Sequence, residues 1–425
     1  MTKRELLIFI ILNVILNFLF STVFQGKPSP DATSYDRTAS VFATEGKFVE
    51  PVFALDEKND VVMRDKPFSD GGLGYPIFLG TIYKIFGVDG SGREAGMIIQ
   101  AIILGVSVPL SIYLFLSLLN VGLFWARLAL LATLLWPTGV ILSMDLLTES
   151  LSTSCLSIFM VSSALFIMRP RNQNSFNFFI FLLSAVGLFL LRYEFAPVIL
   201  LVFSGIACLN YHRAPENMKL TIVAGIFLGL VFIFPGIRNY LIFDRYVPLS
   251  TTGGKVLWLA AECKGSFEFY GKSKDTFVKA YVQGDYLKTD DNLRDIAVTE
   301  VKRDPVKYIK CSVGRVINTI FVAHEEFSWS QGSTLEKIIK IYQRLFKVVI
   351  VLGYVFGIFI LIRENLYAVA GMLGGIFFFK FLIIHALLNG GPRFATVIEP
   401  MAIALTCYVL DRKSKNDISG KLQFP

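Results

Sequence analysis

The chain has 425 residues, 54% of them hydrophobic and 17% charged, with a mean hydropathy of +0.59. Soluble domains carry about 25% charged residues, and a water-soluble fold is excluded because it could not hide this much apolar surface. The formal net charge of +8 does not indicate nucleic acid, since the Lys and Arg residues are scattered through short loops instead of gathered on one amphipathic face.

The chain opens on Met1 to Glu5 and an apolar run to about Phe24, which resembles a secretory signal without a small-residue cleavage site. It is expected to remain as an uncleaved first span. Further runs of nearly uncharged residues follow at about 95–118, 122–142, 147–168, 175–191, 194–210, 219–237, 345–362, 366–387 and 394–411. Each suits a helix crossing a hydrocarbon layer of roughly 30 Å. The expected fold is an all-α polytopic membrane bundle of about ten transmembrane helices, with an extracytoplasmic first loop and a small extracytoplasmic domain.

The first outer loop, 25–72, is polar. Ser29 and Pro30 read as N-cap and first helical residue of a helix running to Gly46, which puts Asp31 and Tyr35 one turn apart on one face. Leu73 to Phe86 is a shorter apolar piece, re-entrant or interfacial. A second long segment, 240–343, is expected to form a small domain with helical periodicity from about Thr276 to Val316. The expected division is therefore 1–239, 240–343 and 344–425. Of the five cysteines, three lie inside apolar runs, and only Cys263 and Cys311 are placed to pair.

Lys3, Arg4, Arg127, Arg169, Arg171, Arg213, Lys219, Arg363, Arg412, Lys413 and Lys415 fall on one side if every span crosses once. The positive-inside rule makes that side, and both termini, cytoplasmic.

On the other side, charges gather at the ends of spans far apart in sequence: Asp31, Asp145, Glu149, Arg192, Glu194, Arg238 and Arg393. Charges at membrane depth usually face a bundle interior or a watery cavity, or else snorkel or pair locally. Asp31 is the leading candidate for a base taking a proton from an incoming hydroxyl, the alternative being an acid that complements a helix N-terminus. Glu149 is suited to a sugar hydroxyl or, beside Asp31, to a divalent cation. Arg238, followed by Asn239, and Arg393 carry guanidinium forks that match phosphate oxygens, and Lys66 could add a cation to the same pocket. His212, His324 and His385 are isolated from one another. No P-loop, dinucleotide fingerprint or Gly-x-Ser-x-Gly elbow is present.

The order of Asp31-Ala32 to Tyr35, Tyr75-Pro76, Thr148-Glu149, Leu191-Arg192, Arg238-Asn239-Tyr240, Thr252-Gly253-Gly254, Pro392-Arg393 and Glu399-Pro400 resembles the GT-C glycosyltransferases, specifically the protein mannosyltransferase-like and aminoarabinose-transferase-like bacterial membrane enzymes. The resemblance implies an inverting transfer of a sugar from a polyprenyl-phosphate donor to an extracytoplasmic glycan, lipid or protein. It places the chain in a bacterial cytoplasmic membrane, with Asp31 as base or metal-binding acid. Tyr35, Lys66, Glu149, Arg192, Glu194, Arg238, Asn239 and Arg393 are the expected substrate-binding residues. A divalent cation is the only cofactor in view, and the metal requirement stays open, because Asp31 is followed by Ala32 and the next acid is Asp36. Membrane lipids are expected partners and nucleic acid is not. The other readings are a transporter of lipid-linked sugar or polysaccharide and an envelope polysaccharide polymerase or ligase.

Overall fold

The computed structural model describes residues 1–23, 29–69, 71–143, 145–172, 175–263, 272–321, 334–380, 387 and 396–421. Helix α1 (Lys3–Val23) begins with a reciprocal cap, the Glu5 amide donating to the Thr2 hydroxyl and the Thr2 amide to the Glu5 carboxylate. In α2 (Pro30–Glu45) the Ser29 side chain accepts from the Ala32 amide at 3.2 Å and Pro30 takes the first position. Gly46 ends the helix at φ 72°. Strands β1 (Val49–Leu55) and β2 (Val61–Pro67) then pair antiparallel, Val49 opposite Pro67. This hairpin was not among the sequence expectations for the loop.

Helix α3 (Gly74–Phe86) packs on α2, burying Tyr75, Leu79, Ile82 and Tyr83. The main bundle follows as α4 (Gly90–Leu118), α5 (Leu123–Leu134), α6 (Pro137–Leu142), α7 (Thr148–Met168), α8 (Ser175–Leu191), α9 (Ala196–Arg213) and α10 (Met218–Phe243). The expected span at 122–142 is broken. Pro137 lacks an amide hydrogen and disfavours helix at Trp136, so α5 stops and α6 restarts. The Leu135 carbonyl exposed by the break accepts the Tyr342 hydroxyl.

Outside the bundle stand α11 (Gly253–Ala261), α12 (Lys272–Ala280), α13 (Tyr286–Arg303) and α14 (Pro305–Phe321), which bear out the helical periodicity expected there. The chain returns as α15 (Thr334–Arg363), α16 (Tyr367–Phe377) and α17 (Glu399–Lys421). Helix α15 begins at Thr334, well before the expected 345, because its first turns keep charged residues on one face and apolar ones on the other.

Six described helical segments are long and apolar enough to cross a membrane: Lys3–Thr22, Gly90–Leu118, Thr148–Met168, Tyr193–Arg213, Pro215–Phe243 and Lys337–Arg363. Leu123–Leu134, Ser175–Leu191 and Tyr367–Lys380 are apolar but shorter. The chain is an integral membrane protein.

Among the described residues three apolar cores hold it together. The largest joins α4, α5, α7, α8, α9, α15, α16 and α17, and a second joins α2 and α3 to the starts of α4 and α7. The third unites the hairpin with the later helices, with Leu55 and Phe53 packing among Trp258, Phe277, Leu293 and Ala297. Its α11 is pinned to α13 by Asp290, whose carboxylate accepts the Gly254 and Lys255 amides at 2.8 Å each. Cys263 and Cys311 form a disulfide that ties α11 to α14.

Candidate active site at the ends of the spans

The start of α2 is held against the bundle by Asp145, in the turn before α7. Its Oδ2 accepts the Ser29 amide at 3.0 Å and its Oδ1 the Leu146 amide at 2.9 Å. Its backbone carbonyl accepts the Gln100 side-chain amide at 2.6 Å, and the Gln100 oxygen accepts the Tyr75 hydroxyl at 2.8 Å. Burial pushes the Asp145 carboxyl above the usual carboxylate range, with the Ser29 and Leu146 amides and Arg93 opposing. Tyr75 lies at the centre of this group. Burial above all, then the charges of Asp145 and Glu149, hold its phenol protonated, and Tyr35 meets its ring edge-on at a centroid separation of 5.1 Å. Asp31 occupies the exposed side of the first turn of α2, next in the chain to this anchored end.

A charged network adjoins this cluster. Glu149, buried in the first turn of α7, pairs with Arg192 at 2.9 Å, and Arg192 also reaches Glu194 at 3.1 Å and Thr148 Oγ1 at 3.2 Å. Glu194 in turn pairs with Lys380, whose ammonium also stands 4.7 Å from the centre of the Phe195 ring. The array therefore alternates in sign, Glu149, Arg192, Glu194, Lys380, across three separate segments.

The first loop reaches this network through Gly72. A Cβ there would stand 2.0 Å from the Leu190 carbonyl oxygen, so only glycine allows the loop to lie directly on the end of α8 beside Arg192. Lys66 is committed to a buried ion pair with Glu50 at 3.2 Å and to the hydroxyls of Ser69 and Thr251, at 3.4 and 3.3 Å. It staples the hairpin to the loop before α11. Asn239 is buried and spans the Val247 and Leu249 carbonyls at 2.9 and 3.2 Å, shaping the chain that leaves α10. Arg238 is half-buried within the electrostatic reach of Tyr193 and Glu50 and forms no ion pair among the described residues. Arg393 lies outside the described residues, as do His324 and His385. His212 is exposed in the last turn of α9.

Asp31, Tyr35, Glu149, Arg192 and Glu194 thus fall on elements that meet, with Tyr75 and Asp145 between them. The nearly uncharged runs 345–362, 366–387 and 394–411 each hold a charge whose pairing is not among the sequence expectations. Lys380 is wholly buried three residues beyond α16, and Lys347 of α15 is buried 3.8 Å from Glu399 of α17, which also accepts the Trp136 indole hydrogen at 2.6 Å. A lone charge inside an apolar run was the signal available for all three. Among the described residues no group of three or more His, Cys, Asp or Glu could hold a metal ion.

No family model matches the chain, and no curated protein matches it. Solved structures that align along it include two of one enzyme. ArnT from Cupriavidus metallidurans bound to undecaprenyl phosphate matches at 11% identity and a TM-score of 0.39, covering 100% of this chain and 82% of that one. ArnT from the same organism in the apo state matches at 12% identity and 0.40, covering 96% and 78%.

Proposed function

We propose that the chain is a membrane glycosyltransferase that moves a sugar from a polyprenyl-phosphate donor to an extracytoplasmic acceptor, with inversion at the anomeric carbon. The observation that carries this reading is the array of Glu149, Arg192, Glu194 and Lys380, its two ends Glu149 and Lys380 fully buried, beside Asp145, Tyr35 and Tyr75 at the ends of apolar helices. Ion pairs at such depth cost desolvation that packing does not require. They are well suited to fixing carboxylates that receive sugar hydroxyls.

In the proposed step the acceptor hydroxyl oxygen attacks the anomeric carbon and the bond from that carbon to the phosphate oxygen breaks. The electron pair departs with the polyprenyl phosphate, and the acceptor proton passes to the Asp31 carboxylate. Arg238 and Arg393 stabilise the phosphate where negative charge develops. Lys66, already paired with Glu50, holds the loop in place. The proposed topology has about ten crossings, with the short helices α5 with α6, α8, α16 and α17 completing the count. The Cys263–Cys311 disulfide supports an oxidising compartment for the hairpin and α11–α14.

The test is release of lipid phosphate by the full chain in nanodiscs holding polyprenyl phosphosugars and candidate acceptors. Asp31→Asn is expected to lower the rate about 10²–10⁴-fold, the range for a general base, with an unchanged melting temperature. Unaltered turnover in that variant counts against Asp31 as base, and absence of release with every donor counts against the reaction. The buried Lys347–Glu399 pair is the one observation on the side of a transporter. A flux assay with a fluorescent lipid-linked sugar separates the two, since a transferase leaves the lipid in its original leaflet.

A further inference from the structure

Helix α14 is built inside out. Its polar face is the buried one: Arg315 donates to the Ala260 carbonyl at 2.8 Å and to the Ser312 hydroxyl at 2.9 Å, and Thr319 is fully buried. Its apolar residues Val306, Ile309, Val313, Ile317 and Phe321 recur every three or four positions, form one outward stripe and are between 41% and 61% exposed. Water would penalise such a stripe at about 25 cal/mol per Å², and nothing among the described residues covers it.

We propose that this stripe is sunk into the lipid leaflet on the side of the hairpin and α11–α14, so that α14 lies along the bilayer surface as an interfacial helix. Two further observations name lipid as the occupant. Helix α14 packs on α15, whose Ile338, Ile341, Leu345 and Val349 form a similar outward stripe while Gln343 and Lys347 are buried, so the α14 stripe continues a surface of a membrane-crossing helix. On α14 itself Lys307 and Lys310, and at the end of α13 Lys302, are exposed and form no ion pair among the described residues. Apolar residues edged by lysines are the composition of a helix held at the headgroup level, where anionic lipids supply the counter-charge. This assignment holds whatever reaction the chain performs.

The test uses the full chain in nanodiscs of phosphatidylcholine and phosphatidylglycerol, with p-benzoylphenylalanine replacing Val313 and, as a reference, Ile226 of α10, which is 62% exposed. Correct folding is checked by the intact Cys263–Cys311 disulfide. After illumination, position 313 is expected to yield phospholipid adducts in an amount comparable with position 226. Adducts to a second polypeptide at 313, or no lipid adduct there while 226 is labelled, overturn the assignment. Raising the phosphatidylglycerol fraction is expected to increase labelling at 313 and leave 226 unchanged.

Discussion

Arg192 is the residue on which the charged array turns, because it touches Glu149 and Glu194 at once. Removing one member of a buried pair leaves its partner charged without compensation, at a cost on the order of 3–5 kcal/mol. Arg192→Met is therefore expected to lower the melting temperature in detergent sharply, and adding Glu149→Gln to recover part of the loss in a double-mutant cycle. Asp145 behaves differently. Its carboxyl titrates above its unfolded value, so the folded chain holds that proton more tightly. The stabilisation is complete below the ordinary carboxylate value and is lost as pH rises above about 4. Asp145→Asn keeps an acceptor for the Ser29 amide, and melting temperature should then vary less with pH across that window. The role of Ser29 as cap was legible because capping is decided within four residues. The pairing of Lys380 with Glu194 was not, because it joins positions far apart in sequence.

At the scale of elements, local chemistry decides where helices begin and tertiary contact decides where they can lie. Ser29→Ala removes one cap bond and should cost about 1 kcal/mol. Gly72→Ala sets a methyl 2.0 Å from the Leu190 carbonyl. It should lower the melting temperature further than Ser29→Ala does, and equal effects would mean that the loop can lift from α8 without loss. Helices α1, α4, α7 and α10 were readable as long apolar runs between charged ends. The hairpin escaped notice because Pro51 interrupts β1 and β2 ends in Arg64, Asp65, Lys66 and Pro67, a sequence with no clean alternation. The break at Trp136 and Pro137 was overlooked because averaged hydropathy does not register a missing amide.

For the whole molecule, the crosslink between α11 and α14 closes a sequence separation of 48 residues. Its removal by Cys263→Ser with Cys311→Ser should cost about 2–5 kcal/mol. The loss should appear as a lower protease resistance of α11–α14, with the membrane bundle left intact. A uniform loss across the chain would mean that the two parts unfold together. Membrane class and general arrangement were open to reading because apolar excess is a property of composition. The joining of two distant polar segments was not, since it depends on a core assembled from both. That joining has a consequence for biogenesis. The hairpin leaves the ribosome long before Trp258, Phe277, Leu293 and Ala297 exist to cover Leu55 and Phe53. During synthesis its inner face therefore stays bare until the end of α13 has emerged.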